Sequence, residues 1–292
     1  MEIELYNHKL KTRGYYCQLN DCLPSCVDEP YINLYIKMSG CNARCEFCND
    51  DCVTKPFDLN KLCEIMREIK SKVKIRKISF TGGEPTLNIQ LLEIIFNIVK
   101  QSSPDSFTVI NTNGFNLKGI FESSLLRYIN SVSLSRHHYK DELNQEITGV
   151  KSVATKNTII ELGDNCSKIH LSCNLIKNYI DNAEKIRHYL ENANLLGIHD
   201  IGFVSLMGLN DYCKENYVDS KIIDEVKGII KTKEWKYKDC CECSNYFYLP
   251  DNYKNGVLSI YHRHAKSPMD FVSMLMFDGE FLREGFNGKV IT

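Results

Sequence analysis

Cys41, Cys45 and Cys48 lie in the stretch S-G-C-N-A-R-C-E-F-C-N-D-D-C, spaced C-x3-C-x2-C, directly after the apolar alternation of Ile32 to Met38. Three thiolates gathered at one strand end select a soft metal or an iron–sulfur cluster. A cubane cluster has four irons, so three protein ligands leave one iron with a coordination position open to a substrate or cofactor. The competing reading is a structural zinc loop. Zinc sites come as paired two-cysteine knuckles, and this spacing has no matching Cys or His pair nearby. Cys52 follows just outside the triad and reads as a free thiol, because a fourth ligand would close the site. Cys63 falls in an apolar helical stripe and reads as core.

Three more segments carry candidate chemistry, each at a predicted strand end. Gly82-Gly83-Glu84-Pro85 has two glycines that let the backbone turn sharply and approach a ligand closely. Asn111-Thr112-Asn113-Gly114 offers side chains suited to hydroxyl recognition, and the same tetrapeptide is also a common turn. Ser133-Leu134-Ser135-Arg136 is followed by His137 and His138, whose imidazoles make them candidate proton donors or acceptors or packed core histidines. Asn174 is on the polar face of a later strand.

C-N-A-R-C-E-F-C after one strand and T-G-G-E-P after the next together resemble the radical S-adenosylmethionine (SAM) superfamily. The resemblance implies a 4Fe-4S cluster on Cys41, Cys45 and Cys48, with SAM's methionine moiety chelating the fourth iron. It carries Phe47, Gly82, Gly83 and Glu84 over as cofactor-binding, the glycine-rich segment meeting the methionine amino group. Asn111, Thr112 and Asn113 match the T-N-G that holds ribose and adenine in relatives. Ser133, Ser135, Arg136 and Asn174 complete the expected contacts. Relatives often have Ser followed by Asp where this chain has Ser135, and Arg136 either pairs with SAM's carboxylate or is a solvated strand-end charge.

The elements that must position these groups read as a repeated strand, loop and helix. Strands are predicted at Tyr31 to Met38, Ile75 to Thr81, Phe107 to Asn111, Ser131 to Arg136, Lys168 to Ile176 and Asp200 to Leu206. Helices are predicted from Asp58, over Asn88 to Lys100, Gly119 to Tyr128 and Asp181 to Leu190. The alternation predicts an α/β fold with parallel strands. Ser79, Thr81, Ser133, Ser135, His170, Ser172 and Asn174 share one face, with Ile78, Phe80, Val132, Leu134, Ile169, Leu171 and Cys173 on the other. A filled eight-stranded barrel would have bulky branched residues inside. A polar lumen needs a polar occupant, since each unpartnered buried polar group costs about 1–3 kcal/mol. The pattern converges with the family's partial six-stranded (β/α)6 parallel barrel, whose lumen holds SAM and substrate. Tyr139 to Thr155 is expected to form a mobile loop at the cavity mouth.

The chain has 292 residues, 43% apolar and 25% charged, with a net charge of -1. No basic face or phosphate-seeking charge is indicated, so nucleic acid is not an expected partner. No apolar run reaches about 18 residues and the N-terminus lacks a signal pattern, which predicts no membrane partner and a cytoplasmic location. Eight of the 14 cysteines precede residue 64. Without a signal peptide, that concentration favours metal ligation over disulfides.

The expected organisation is an N-terminal cysteine-containing extension over 1–31, a barrel over 32–210 and a C-terminal extension over 211–292. In the last, a helix is predicted over Asp219 to Trp235, then a hairpin of Tyr246 to Leu249 and Val257 to Tyr261. Such an appendage resembles those holding an auxiliary cluster, although position 261 is Tyr where the pattern has a cysteine. Candidate ligands for this second cluster are Cys17, Cys22, Cys26, Cys213, Cys240, Cys241 and Cys243. The family implies an enzyme that takes one electron from a donor such as flavodoxin or ferredoxin. The competing class is an iron–sulfur electron carrier without SAM chemistry, which has no use for a polar lumen. Barrel and hairpin resemble the branch with the molybdenum-cofactor GTP cyclase and the peptide-modifying enzymes. The chain ends G-F-N-G-K-V-I-T, without the cyclase's glycine-rich tail, and has no obvious leader-binding domain. A small metabolite or natural-product precursor is the expected substrate, with a peptide as runner-up.

Overall fold

The computed structural model describes residues 2–11, 31–229, 232–240, 243–250, 258–263, 274–285 and 288–292. In chain order the strands are β1 Glu2–Leu5, β2 His8–Lys11, β3 Tyr31–Met38, β4 Lys74–Gly82, β5 Phe107–Thr112, β6 Ser131–Ser135, β7 Ile169–Leu175, β8 Asp200–Ser205, β9 Thr232–Cys240, β10 Cys243–Pro250, β11 Leu258–Arg263, β12 Met274–Phe277 and β13 Leu282–Glu284. The helices are α1 Leu59–Lys72, α2 Ile89–Ser102, α3 Leu117–Glu122, α4 Asp141–Thr148, α5 Lys156–Ile160, α6 Ala183–Leu195, α7 Asp211–Glu215 and α8 Ile223–Ile229.

Strands β3 to β8 stand side by side in chain order, each pair parallel, which is the six-stranded α/β arrangement of a partial barrel. Their alternation is visible in burial. Leu34, Ile36, Ile78, Phe80, Ile110, Val132, Leu134 and Cys173 are fully buried under the helices. Each such aliphatic or aromatic side chain contributes about 1.5–3 kcal/mol relative to exposure. Tyr35, Lys37, Thr81, Asn111, Ser133, Ser135, His170, Ser172 and Asn174 are half-buried on the opposite face. The register carries Asn111, Ser133, His170 and Asp200 across adjacent strands as one row. His170 Nδ1 lies 2.9 Å from the Asp200 carboxylate.

The helix starts are set locally. Asp58, Asn88 and Asn182 each accept a hydrogen bond from a first-turn backbone N–H and so cap α1, α2 and α6. The predicted helix over Gly119 to Tyr128 is instead the short α3 and a separate 3₁₀ turn over Ser124–Arg127, divided where Ser123 caps the second piece.

The rest of the chain extends the same sheet. β11 pairs parallel with β8, and β10 and β9 follow antiparallel, so the expected hairpin is present as β10 and β11. The predicted helix over Asp219 to Trp235 ends at Ile229. From Thr232 the alternation of Trp235 and Tyr237 with Lys236 and Lys238 has the period of a strand, and the chain forms β9 there. On the other edge β12 pairs parallel with β3, and β13 returns antiparallel. The N-terminus is a two-strand hairpin. Tyr6 and Asn7 both have positive φ at its turn, and Leu5 and Leu10 join the main core. No helix among the described residues is long and apolar enough to cross a membrane.

Candidate functional site

The functional segments leave the carboxyl ends of the parallel strands, where α/β barrels place their chemistry. The loop after β3 carries Cys41, Cys45 and Cys48, all free thiols, with Cys48 exposed and the other two half-buried. Burial pushes the Cys41 thiol up to about 11 and the Cys45 thiol up to about 12, and it raises Cys48 as well. Among the described residues no three His, Cys, Asp or Glu side chains converge on a point that one metal ion could occupy. A zinc ion would need its ligands within about 2.3 Å of one centre, whereas a cubane spreads three cysteines over three irons. Three cysteines on one loop match the donor set of a cubane cluster.

Neighbouring strand ends hold this loop. Gly83 N–H donates to Met38 O at 2.8 Å and Glu84 N–H to Gly40 O at 2.7 Å, folding the glycine turn onto the residues before Cys41. Gly82 has φ +103°, and a Cβ on Gly83 would sit 1.8 Å from Gly40 O, so both positions require glycine. Asn113 Nδ2 donates to Asn42 Oδ1 at 2.8 Å, and Arg44 N–H to Thr148 O at 2.8 Å. From the far side Asn210 Nδ2 donates to Glu46 O at 2.9 Å. The loop's exit is fixed by Asp58 N–H on Gly279 O at 2.8 Å and by the Phe57 ring edge-on to Phe277.

Glu84 and Thr112 take a different part from the cofactor contact that the resemblance implies. The Glu84 carboxylate is 2% exposed. Its Oε1 accepts from Thr86 N–H at 3.0 Å, Thr86 Oγ1 at 2.6 Å and Thr112 Oγ1 at 2.6 Å, while Oε2 accepts from Asn113 N–H at 2.7 Å. Burial raises its pKa despite these four donors. The carboxylate is thus a latch between the ends of β4 and β5. Thr112 is buried with Ile110 on the helix side, while Asn111 is half-buried on the lumen face, its Nδ2 donating to Phe80 O at 2.9 Å, and Asn113 is half-buried beside Asn42 of the cysteine loop.

Arg136 is likewise turned away. It shares the buried parity of Val132 and Leu134, is 2% exposed, and donates to Ala154 O, Tyr139 O and Asp141 Oδ1 at 3.1, 3.2 and 2.5 Å. With its charge spent on α4, it has none to offer SAM's carboxylate. The span expected as a mobile loop contains that helix. Asp141 and Glu142 sit at its positive end and Gly149, at φ +71°, stops it.

His137 is buried, and its Nδ1 accepts from Asn174 N–H at 3.1 Å. Its ring stands edge-on to Phe47 at 5.0 Å, so it supports the aromatic between the second and third cysteines. Burial lowers its pKa to about 4 and that of His138 to about 4, with Lys140 and Arg136 adding to the shift at His138. Both are neutral at physiological pH. Ser133, Ser135 and Asn174 face the lumen as expected, and Ser79 Oγ is buried on that face with no hydrogen-bond partner among the described residues.

Of the auxiliary-cluster candidates, Cys17, Cys22, Cys26 and Cys241 lie outside the described residues. Cys240 and Cys243 are backbone register partners in β9 and β10. Cys213 is placed apart from β9 and β10. It is 1% exposed beneath the triad loop, packed with Ile147, Ile176 and Leu206, and its thiol donates to Phe47 O at 3.5 Å. Cys52 is half-buried beside the triad, its thiol 3.7 Å from Ala43 O. The sequence missed the brace from Gly279 and the cap from Asn210, whose partners are distant in the chain.

Residues 35–209 match the Radical SAM superfamily, well over half of the chain. This chain belongs to the radical SAM superfamily. Its members use a 4Fe-4S cluster and SAM, so these are its cofactors and it is a radical SAM enzyme. Proteins named "Probable GTP 3',8-cyclase" are among the similar ones. That of Saccharolobus solfataricus is 25% identical over 211 residues, 68% of this chain and 66% of that protein. That of Thermococcus kodakarensis is 27% identical over 214 residues, 70% of this chain and 69% of that protein. Among solved structures, Streptococcus suis SuiB bound to S-adenosylmethionine superposes with a TM-score of 0.51 at 20% identity, over 68% of this chain and 46% of that one. SuiB bound to its precursor peptide SuiA gives 0.52 at 20% identity, over 68% and 45%. At this identity the solved structures share the radical SAM fold alone.

Proposed function

We propose that Cys41, Cys45 and Cys48 hold the cluster and that the half-buried polar face binds SAM and a small polar metabolite or natural-product precursor. Bound there, cluster and SAM would supply one-electron cleavage of SAM and, through it, hydrogen-atom abstraction from the substrate. The protein's own residues do the placing. Gly82 and Gly83 bring backbone against the cysteine loop, and Asn111, Ser133, Ser135 and Asn174 present amides and hydroxyls to the bound molecules. Phe47, held by His137, lines the wall beside the loop. Cys48 is the exposed thiol of the triad, so a one-electron donor such as flavodoxin or ferredoxin approaches on its side.

The observation that carries the substrate reading is the half-buried polar face itself, where Asn111, Ser133, Ser135, His170, Ser172 and Asn174 stand together on one side of the sheet and a polar ligand would satisfy them. The relatives named as probable GTP 3',8-cyclases point the same way. A peptide is the second reading, supported by the precursor peptide bound to SuiB. Anaerobically reconstituted protein, incubated with SAM and dithionite, should release 5'-deoxyadenosine and methionine. Lysate small molecules should accelerate that release, and a small-molecule-depleted peptide fraction should not. Acceleration by the peptide fraction alone would replace the first reading with the second, and no cleavage at all would remove both.

A further inference from the structure

One register row crosses the polar face from Asn111 through Ser133 to His170 and Asp200. Adjacent strands stand about 4.8 Å apart, so Asn111 to His170 spans about 10 Å. The hydrogen-bonding sense of the row is set from its edges. Asn111 spends its Nδ2 on Phe80 O at 2.9 Å, which leaves Oδ1, an acceptor, uncommitted. His170 Nδ1 lies 2.9 Å from the Asp200 carboxylate, so Nδ1 carries the proton and Nε2 of the neutral ring is an acceptor too. Asn111 Oδ1, His170 Nε2 and the Ser133 hydroxyl between them have no hydrogen-bond partner among the described residues. The charge is equally one-sided. No lysine or arginine stands on the lumen face of β5 to β8, and the half-exposed Asp200 adds a negative charge. Of the lumen-face lysines on β3 and β4, Lys37 is held by Asp50 at 3.0 Å, and Lys77 is in register with Phe107, four residues before Asn111. Phosphate and carboxylate groups are gripped by arginine or lysine, and this row offers neither.

We infer that Asn111, Ser133 and His170 form the substrate-recognition row, and that it selects a polyhydroxylated molecule carrying no phosphate or carboxylate. Two acceptors flank one hydroxyl, so the matching ligand brings hydroxyl donors about 5 Å apart. His170 touches the substrate, and Asp200 is a positioning residue that holds its tautomer and ring orientation. The row also slants relative to the strand ends. Asn111 is next to last in β5, whereas His170 is second in β7, four residues or about 13 Å before Asn174. A molecule lying along the row therefore has one end near the cysteine loop and the other held by His170. A ligand without the hydroxyl at that end leaves Nε2 unpaired, which is how a site built on hydrogen bonds rejects it. The inference rests on the small-metabolite reading of the lumen.

The test uses the reconstituted enzyme with SAM and dithionite, and the small molecules of a lysate divided on an anion-exchange resin at neutral pH. The unretained fraction should accelerate 5'-deoxyadenosine release, and the retained fraction and GTP, a pure triphosphate probe, should not. Acceleration by the retained fraction or by GTP overturns this inference and leaves the small-metabolite reading standing. Acceleration by no fraction overturns both. His170→Gln sets an amide near the place of Nε2, whereas His170→Asn sets one near the place of Nδ1, against Asp200. Half-maximal acceleration should need about tenfold more of the unretained fraction with His170→Asn and about twofold more with His170→Gln. A purely structural link between β7 and β8 predicts the reverse order, and that order or equal values overturn the inference. Diethyl pyrocarbonate modification of wild-type His170, read by mass spectrometry, needs no variant to fold. The unretained fraction added with SAM should slow it at least about fivefold, and SAM alone less than about twofold. Protection by SAM alone gives the row to the cofactor and overturns the inference, as does a His170 whose reactivity ignores the accelerating fraction.

Discussion

Removing the Glu84 carboxylate tests whether the G-G-E-P segment serves structure or ligand. Glu84→Ala leaves four donors without their acceptor: the N–H groups of Thr86 and Asn113 and the hydroxyls of Thr86 and Thr112. The hydroxyls can rotate to other acceptors, but the backbone donors are fixed. Two unsatisfied N–H groups at about 1–3 kcal/mol each give a loss of about 2–6 kcal/mol. At about 2–4 °C per kcal/mol, Tm should fall by at least about 4 °C. Glu84→Gln keeps one carbonyl acceptor and turns an amide donor on a neighbouring donor, so its loss should be smaller, about 1–3 kcal/mol. Differential scanning calorimetry of the two variants and of Thr112→Val, alone and combined with Glu84→Gln, gives the coupling between the residues. Stabilities within error of wild type for both Glu84 variants would refute the latch. Loss of SAM affinity without loss of stability would return Glu84 to the cofactor.

Arg136→Met breaks the buried pairing with Asp141, and it should lower stability by about 3–5 kcal/mol while the SAM Kd of the folded fraction stays within twofold; a large Kd rise would restore Arg136 as a SAM contact. His137 has its pKa depressed from 6.5 to about 4, so the unfolded chain binds the extra proton and stability is lost as pH falls from about 6.5 toward 4. That window is worth about 3 kcal/mol, and urea unfolding of His137→Gln across it should show a shallower loss than wild type. Gly83→Ala forces a methyl into Gly40 O and should cut iron retained after desalting at least about twofold, since the cysteine loop must move. With Cys41, Cys45 and Cys48 all changed to Ala, retention of about four irons per chain would support an auxiliary cluster, and none in a folded variant would retire it.

The strands and the chemistry at their ends were legible because both are local. Period-two alternation marks which side of β3, β4, β6 and β7 is wet, and the three cysteines need only one loop to stay together. The same alternation already places Arg136 with Val132 and Leu134, away from Ser133 and Ser135, so its buried role could have been read by parity. The Glu84 latch was less visible, because a carboxylate after two glycines reads as a ligand until its donors on another strand are known. β12 gave only Met-Leu-Met-Phe, too short to distinguish from loop, and its partner β3 lies at the other end of the chain. Helix α4 was readable from Asp141, Glu142 and Gly149, and the polar composition around it masked the signal.

The pairing of β12 with β3 also sets an order of events during synthesis. The cysteine loop emerges from the ribosome early, but the carbonyl that fixes its exit belongs to Gly279, and the ring against Phe57 belongs to Phe277. Until those residues have been translated, the thiols sit on a nascent loop whose far end is unanchored, beside an uncovered edge of β3 open to wrong strand partners. Iron–sulfur assembly machinery therefore meets its finished receptor only after residues 274–279 have been translated, and a ribosome stalled before residue 274 would present the three cysteines without the brace that holds them.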